Sequence, residues 1–139
     1  MRLYPGSLFC AVLLLAGLPA MAQAKLTGKV TQQVGGAVGR LPETRPLAGA
    51  TVIVGTDLDL EVGQAGTDRV RGRVVAKGLS LEDGTFTIDA PAGRYTVICW
   101  KEGYVPQTES DVRVPGRIKL DISRDTAMRG LHRQLSYGR

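Results

Sequence analysis

The stretch Glu82–Tyr104, EDGTFTIDAPAGRYTVICWKEGY, decides how the rest of the chain is read. Asp83-Gly84 is a tight-turn dipeptide, because glycine takes φ > 0 without steric penalty and aspartate tolerates it. Phe86 and Ile88 stand two apart, so on an extended strand they share one face. Pro91 has no N–H to give a ladder and Gly93 accepts turn geometry, so Ala90–Gly93 closes that strand. Tyr95, Val97 and Cys99 then alternate with Thr96, Ile98 and Trp100. The first set is expected to face a core, which buries Cys99 as an inert small hydrophobe and turns Ile98 and Trp100 outward. Gly103 lets the chain reverse, and the Tyr104 ring caps one end of the core with its hydroxyl in water. The unit is two short strands around a sharp turn.

Further strands are expected on both sides of it. Leu26–Val34 (LTGKVTQQV), Leu47–Thr56 (LAGATVIVGT), Arg73–Leu81 (RVVAKGLSL), Val112–Val114 and Ile118–Ile122 join Thr85–Ala90 and Arg94–Trp100. Gly35–Pro46, rich in glycine and proline, reads as a loop. Turn residues recur at intervals of about 8–12, the spacing of an all-β sandwich or barrel. Residues 25–123 show no 3.6-residue apolar period, which excludes a helical domain.

RPLAGATVIV at 45–54, the opening stretch, and the V-x-V and I-x-L-x-I endings at 112–122 together resemble the carboxypeptidase regulatory-like domain. The residues that carry the resemblance are Pro46, Leu47, Gly49, Ala50 and Val52; Asp83, Gly84, Phe86 and Ile88; Pro91, Gly93, Tyr95 and Val97; and Gly103 with Tyr104. It implies a transthyretin-like, prealbumin-like Greek-key β-sandwich of about seven strands. It covers residues 25–123 and implies a scaffold with no particular chemistry, since such domains occur beside peptidases, in outer-membrane receptors, in adhesion arrays and alone. The chain departs from the pattern at a long first loop, Gly35–Arg45, and a long segment between the second and third strands, Asp57–Gly72. Long loops on a rigid scaffold are where binding residues sit.

The N-terminus has another logic. Arg2 precedes an apolar run of 11 residues, Leu8–Leu18, then Pro19 and the small-x-small patterns Ala20-Met21-Ala22 and Ala22-Gln23-Ala24. This is the plan of a secretory signal peptide over residues 1–24. The run is shorter than the roughly 20 residues a membrane-spanning helix needs. Cys10 lies inside it, away from the place of a lipidated cysteine. Cleavage near Ala24 leaves about 115 residues, lowers the formal charge from +5 to +4, and leaves Cys99 as the single cysteine. One thiol forms no internal disulfide, so it is either buried or free to pair with another chain. The expected location is periplasmic or secreted, with no transmembrane segment after cleavage.

The candidate chemistry is sparse. Asp57, Asp59 and Glu61 alternate with Leu58, Leu60 and Val62, placing three carboxylates on one strand face. Calcium favours grouped oxygens, but an EF-hand loop needs glycine where Val62 stands, so the reading is a solvated acidic face that discourages edge pairing. His132 is the only histidine, and no G-x-S-x-G or paired-ligand spacing accompanies it. The 5-hydroxyisourate hydrolases share the transthyretin-like fold but need a first-strand histidine, absent from Leu26–Val34. No catalytic, metal or cofactor residue is therefore assigned, and the chain is read as a non-enzyme.

Binding residues remain. Trp100, if uncovered, stacks on a sugar or anchors a protein; otherwise a loop or the C-terminal tail covers it. The tail Arg124–Arg139 is basic, and Met128, Leu131 and Leu135 suit a short amphipathic helix that presents Arg129 and Arg133. A mature charge of +4 without a strong basic cluster argues against nucleic acid. The sequence thus points to an exported, non-catalytic binding or structural module that offers loops 35–45 and 57–72 and Trp100 to an envelope protein or glycan, with free sheet edges open to strand addition. The alternative is an accessory subunit of an exported hydrolase or envelope transport complex, docked through the basic tail.

Overall fold

The structure, a computed structural model, describes residues 23–36, 38–63, 67–124 and 134–138. Every regular element among them is a strand: β1 (Gln23–Val34), β2 (Glu43–Pro46), β3 (Thr51–Val62), β4 (Thr67–Leu79), β5 (Thr85–Pro91), β6 (Gly93–Trp100), β7 (Gln107–Val114), β8 (Gly116–Ile122) and β9 (Gln134–Tyr137). They form a two-sheet sandwich, as the sequence suggests, with β2 and β9 beyond the expected seven.

The first sheet is built on β1. Antiparallel β5 lines one edge from Gln23↔Pro91 to Lys29↔Thr85, and β2 continues that edge from Thr31↔Pro46 to Val34↔Glu43. Between them the Val30 N–H donates to Gly84 O at 2.7 Å, and Val30 O accepts from Leu47 N at 3.0 Å. Parallel β8 lines the other edge. The second sheet has the order β7-β6-β3-β4-β9.

Period-two alternation fills the space between the sheets. Leu26 and Val30 of β1, Phe86 and Ile88 of β5, and Leu120 and Ile122 of β8 face Val52 and Val54 of β3, Val97 and Cys99 of β6, and Val112 and Val114 of β7. Removing each such side chain from water contributes about 1.5–3 kcal/mol. The turn residues of the opening stretch serve this core. The Thr85 hydroxyl and amide bond Asp83 Oδ1 at 2.6 and 3.0 Å and hold its carboxyl below the ordinary value. Gly84, at φ 82°, has its N–H on Leu81 O. The Tyr95 hydroxyl donates to Pro91 O at 2.6 Å and ties the β5–β6 turn. Residues 47–50 form a clasp and not a strand start: buried Ser80 donates to Leu47 O at 2.7 Å and accepts from Ala50 N at 2.9 Å.

The largest correction concerns Asp57–Gly72, expected as a long loop. Here β3 runs on to Val62 and β4 begins at Thr67, so the segment is a hairpin arm paired from Asp59↔Arg71 to Val62↔Asp68. Two irregularities bend it, one between Val54 and Gly55 and one between Thr56 and Asp59. At the second, Asp57 has φ 53° and Gly72 has φ 99°, where a β-carbon would lie 2.3 Å from Asp57 O. Only glycine meets both conditions at position 72.

The bend folds the arm back over the outer face of the second sheet. Leu79 of β4 is level with Thr51, which is level with Trp100. On a straight strand Asp68, eleven residues earlier, would lie roughly 36 Å away. Instead the Trp100 Nε1–H donates to Asp68 Oδ2 at 2.8 Å. A second apolar cluster lies beneath the arm: Ile53 and Ile98, facing outward from the main core, pack with Leu58 and Val70 of the arm and with Leu135 of β9.

Candidate binding surfaces

Trp100 does point away from the main core, as its alternation with Cys99 requires. It is nevertheless no open platform. The arm covers it in part, and its only polar atom is bound to Asp68, which is 1% exposed. The sequence offers no signal for Asp68, since Thr67-Asp68 reads as a turn. In β4 its carboxylate is carried inward by the folded arm, and the Ser136 hydroxyl of β9 bonds its carbonyl at 3.2 Å.

The three carboxylates of the arm are exposed but do not converge. Glu61 is bridged to Arg71 at 3.1 Å, and Asp59 is level with Arg71 and Glu61 with Arg69. Asp57 is set apart by its bulge, where it lines a polar depression of about 390 Å³ with Arg94 and Asp111, themselves 3.4 Å apart. Arginines thus interleave with the acids, and the surface is a mixed-charge ladder. Among the described residues no group of three His, Cys, Asp or Glu side chains is disposed to hold a metal.

Cys99 is fully buried, and burial pushes its thiol up from 9.0 to about 12. The unfolded chain releases this proton near pH 9 while the folded chain retains it. The protein is therefore expected to lose stability through this group as the pH rises from 9 towards 12. Urea unfolding of the mature chain and of Cys99→Ala across that range checks this: the slope should flatten in the variant. A thiol reagent should label Cys99 only in denaturant.

Of the tail read as a short helix, residues 125–133 lie outside the described residues, and only its end bears on that reading. Gln134–Tyr137 is a strand, parallel to Thr67–Val70 of β4, because Leu135 reaches the second apolar cluster from there. The Tyr137 ring receives Lys77 Nζ at 4.4 Å. Arg129, Arg133 and His132 lie outside the described residues. So do residues 1–22, with the apolar run; no helix among the described residues is long and apolar enough to cross a membrane.

The loop 35–45, read from the sequence as a binding surface, forms the tip between β1 and β2. Val38 and Leu41 are 106% and 92% exposed, with Arg40 between them. Both sit within the expected loop 35–45, whose last residues form β2.

No protein-family model matches the sequence, and no curated protein matches it. Similar solved structures include a chain of a type II cohesin–X-dockerin complex from Acetivibrio cellulolyticus, at 17% identity and TM-score 0.47, covering 78% of this chain and 64% of that one. A second is the minor pilin GBS52 of Streptococcus agalactiae, at 12% identity and TM-score 0.46, covering 75% of this chain and 45% of that one. The chain thus spans less than two thirds of the length of either.

Proposed function

We propose that the mature chain is an exported, non-catalytic binding module on a carboxypeptidase regulatory-like sandwich, and that it engages a protein partner through the β1–β2 tip. The observation that carries this is the pair Val38 and Leu41, both almost wholly in water on one tip. Single exposed aliphatics are ordinary. Two beside an arginine, on a loop whose base is fixed by the four paired positions of β1 and β2, make an apolar anchor with a charged rim. The turn and core positions of Leu47, Ala50, Phe86, Ile88 and Val97 support the family reading.

The test is a pull-down by tagged mature protein from the envelope of the producing cell. The wild type should recover one partner in near-equal amount, and a Val38→Ser, Leu41→Ser variant with unchanged melting should not. Equal recovery by both removes the tip from the interface. A glycan recovered in place of a protein changes the partner class.

Export has its own check. Gln23 opens β1 opposite Pro91, and Ala24 packs against the main core. Cleavage after Ala22 leaves β1 whole, whereas cleavage after Ala24 removes two of its residues. The intact mass of the exported protein is expected to begin at Gln23. A chain that keeps its leader overturns the export reading.

A further inference from the structure

The outer face of the first sheet bears a groove of about 600 Å³, floored by the backbones of Gly28, Phe86 and Ile118. Two rows of side chains cross it. Thr87, Thr27 and Arg117 are level on β5, β1 and β8; Thr85, Lys29 and Lys119 form the next row. Rows two residues apart lie roughly 6.7 Å from each other, with strands about 4.8 Å apart.

The charges on this face are arranged at a cost. Lys29 and Lys119 are direct neighbours across the parallel pair, a like-charge arrangement that destabilises a sheet. Arg117 stands two residues from Lys119. Among the described residues no carboxylate is bridged to any of the three, whereas the row beyond is paired, Lys25 to Asp89 at 3.1 Å. The Lys29 charge is felt by Asp83, but that carboxylate is already held by the Thr85 hydroxyl and amide. Asp121, the next outward residue of β8, is bonded by Thr31 and Gln33 at 3.1 and 3.3 Å. Among the described residues, then, no carboxylate is bonded to the three cations around this groove, which suits it to an external anion.

The walls narrow the class of that anion. They carry threonine hydroxyls and cations, and the apolar residues of the lining, Phe86 and Ile118, are buried and half-buried against the main core. The Phe86 ring is turned into the core at 2% exposure, so the groove has no aromatic surface for a nucleic-acid base. Hydroxyls beside charge-assisted donors suit a polyhydroxylated anionic chain. We propose that this face binds an acidic glycan, a polysaccharide bearing sulfate or carboxylate groups, with Lys29, Arg117 and Lys119 on the acidic groups and Thr27 and Thr87 on the sugar hydroxyls. The surface is separate from the β1–β2 tip, and the proposal stands whether or not the tip reading holds.

The test uses the mature chain with fluorescent dextran sulfate, unsulfated dextran and single-stranded DNA as probes, read by anisotropy. Dextran sulfate should bind and dextran should not. Lys29→Gln, Arg117→Gln and Lys119→Gln together should weaken binding by about tenfold or more. Because these side chains are exposed and repel one another, the variant should melt no lower than the wild type. The control removes the same charge from the arm, Arg69→Gln, Arg71→Gln and Arg73→Gln, and should keep wild-type affinity. Thr27→Val with Thr87→Val should weaken dextran sulfate binding while leaving net charge unchanged. Equal losses in the face and arm variants would mean attraction by net charge alone and overturn the site. Equal affinity for single-stranded DNA would overturn the glycan assignment, and failure of dextran sulfate to bind would overturn both.

Discussion

Gly28→Ala is expected to cost about 3 kcal/mol or more, and Gly28→Val to prevent folding. A β-carbon at this position would lie 2.3 Å from Ile118 O and 2.5 Å from Phe86 Cζ. The first neighbour is backbone of β8 and cannot turn aside. The second is a ring 2% exposed and packed among Leu26, Val30 and Leu120, so moving it displaces the main core. Gly28 stands where β5, β1 and β8 run side by side, and relief on one side tightens the other. Urea unfolding followed by circular dichroism reads the cost. An alanine variant within 1 kcal/mol of wild type would show that the three strands are looser here than the geometry requires.

Trp100→Ala is expected to cost about 3 kcal/mol, the sum of lost packing under the arm and the lost indole bond to buried Asp68. Trp100 is the only tryptophan, so its emission reports the arm directly. In Asp68→Leu the 2.8 Å bond is lost and the arm loosens over the indole, letting water reach the ring. Its emission should move to the red, and a protease should cut within residues 56–72 before the sandwich unfolds. Asp68→Asn retains an acceptor oxygen and should fall between wild type and leucine. Unchanged emission and cleavage in Asp68→Leu would mean that Leu58, Val70 and Leu135 hold the arm without the polar contact.

Those two sites also mark what the sequence made legible. The β5–β6 unit was readable nearly to the residue, since its alternation is unbroken and Asp83-Gly84, Pro91 and Gly93 fix its ends locally. The same alternation told that Cys99 faces inward and Ile98 and Trp100 outward. The alternation of residues 57–62 read as a strand face, but the bend at Thr56–Asp59 is a shift of pairing register that the alternation does not show, and Gly72 looks like a loop residue when it is the pivot of a bulge. The arm's contacts with the sheet, the bond between Asp68 and Trp100 across 32 positions among them, are ones no local pattern encodes. Leu135 fits a helical spacing with Met128 and Leu131, which lie outside the described residues, yet it sits in a strand, where the β4 edge and an apolar cluster receive it. The candidate surfaces were legible by type and not by partner. The arm acids were visible as a run, but the arginines that answer them come from the returning strand. The cations of the groove come from strands about 90 residues apart.

The pairing of β1 with β5 and β8 has a consequence for the order of events in making this protein. The first strand to leave the ribosome is the centre of its sheet, and neither long edge can be filled until residues 85–91 and 116–122 have followed. Pairings so distant in sequence place folding in the slow, milliseconds-to-seconds range of all-β domains. Under the export proposed above, a chain threaded through a membrane in extended form gains from this delay. Its topology delays closure of the first sheet until residues 116–122 have been made.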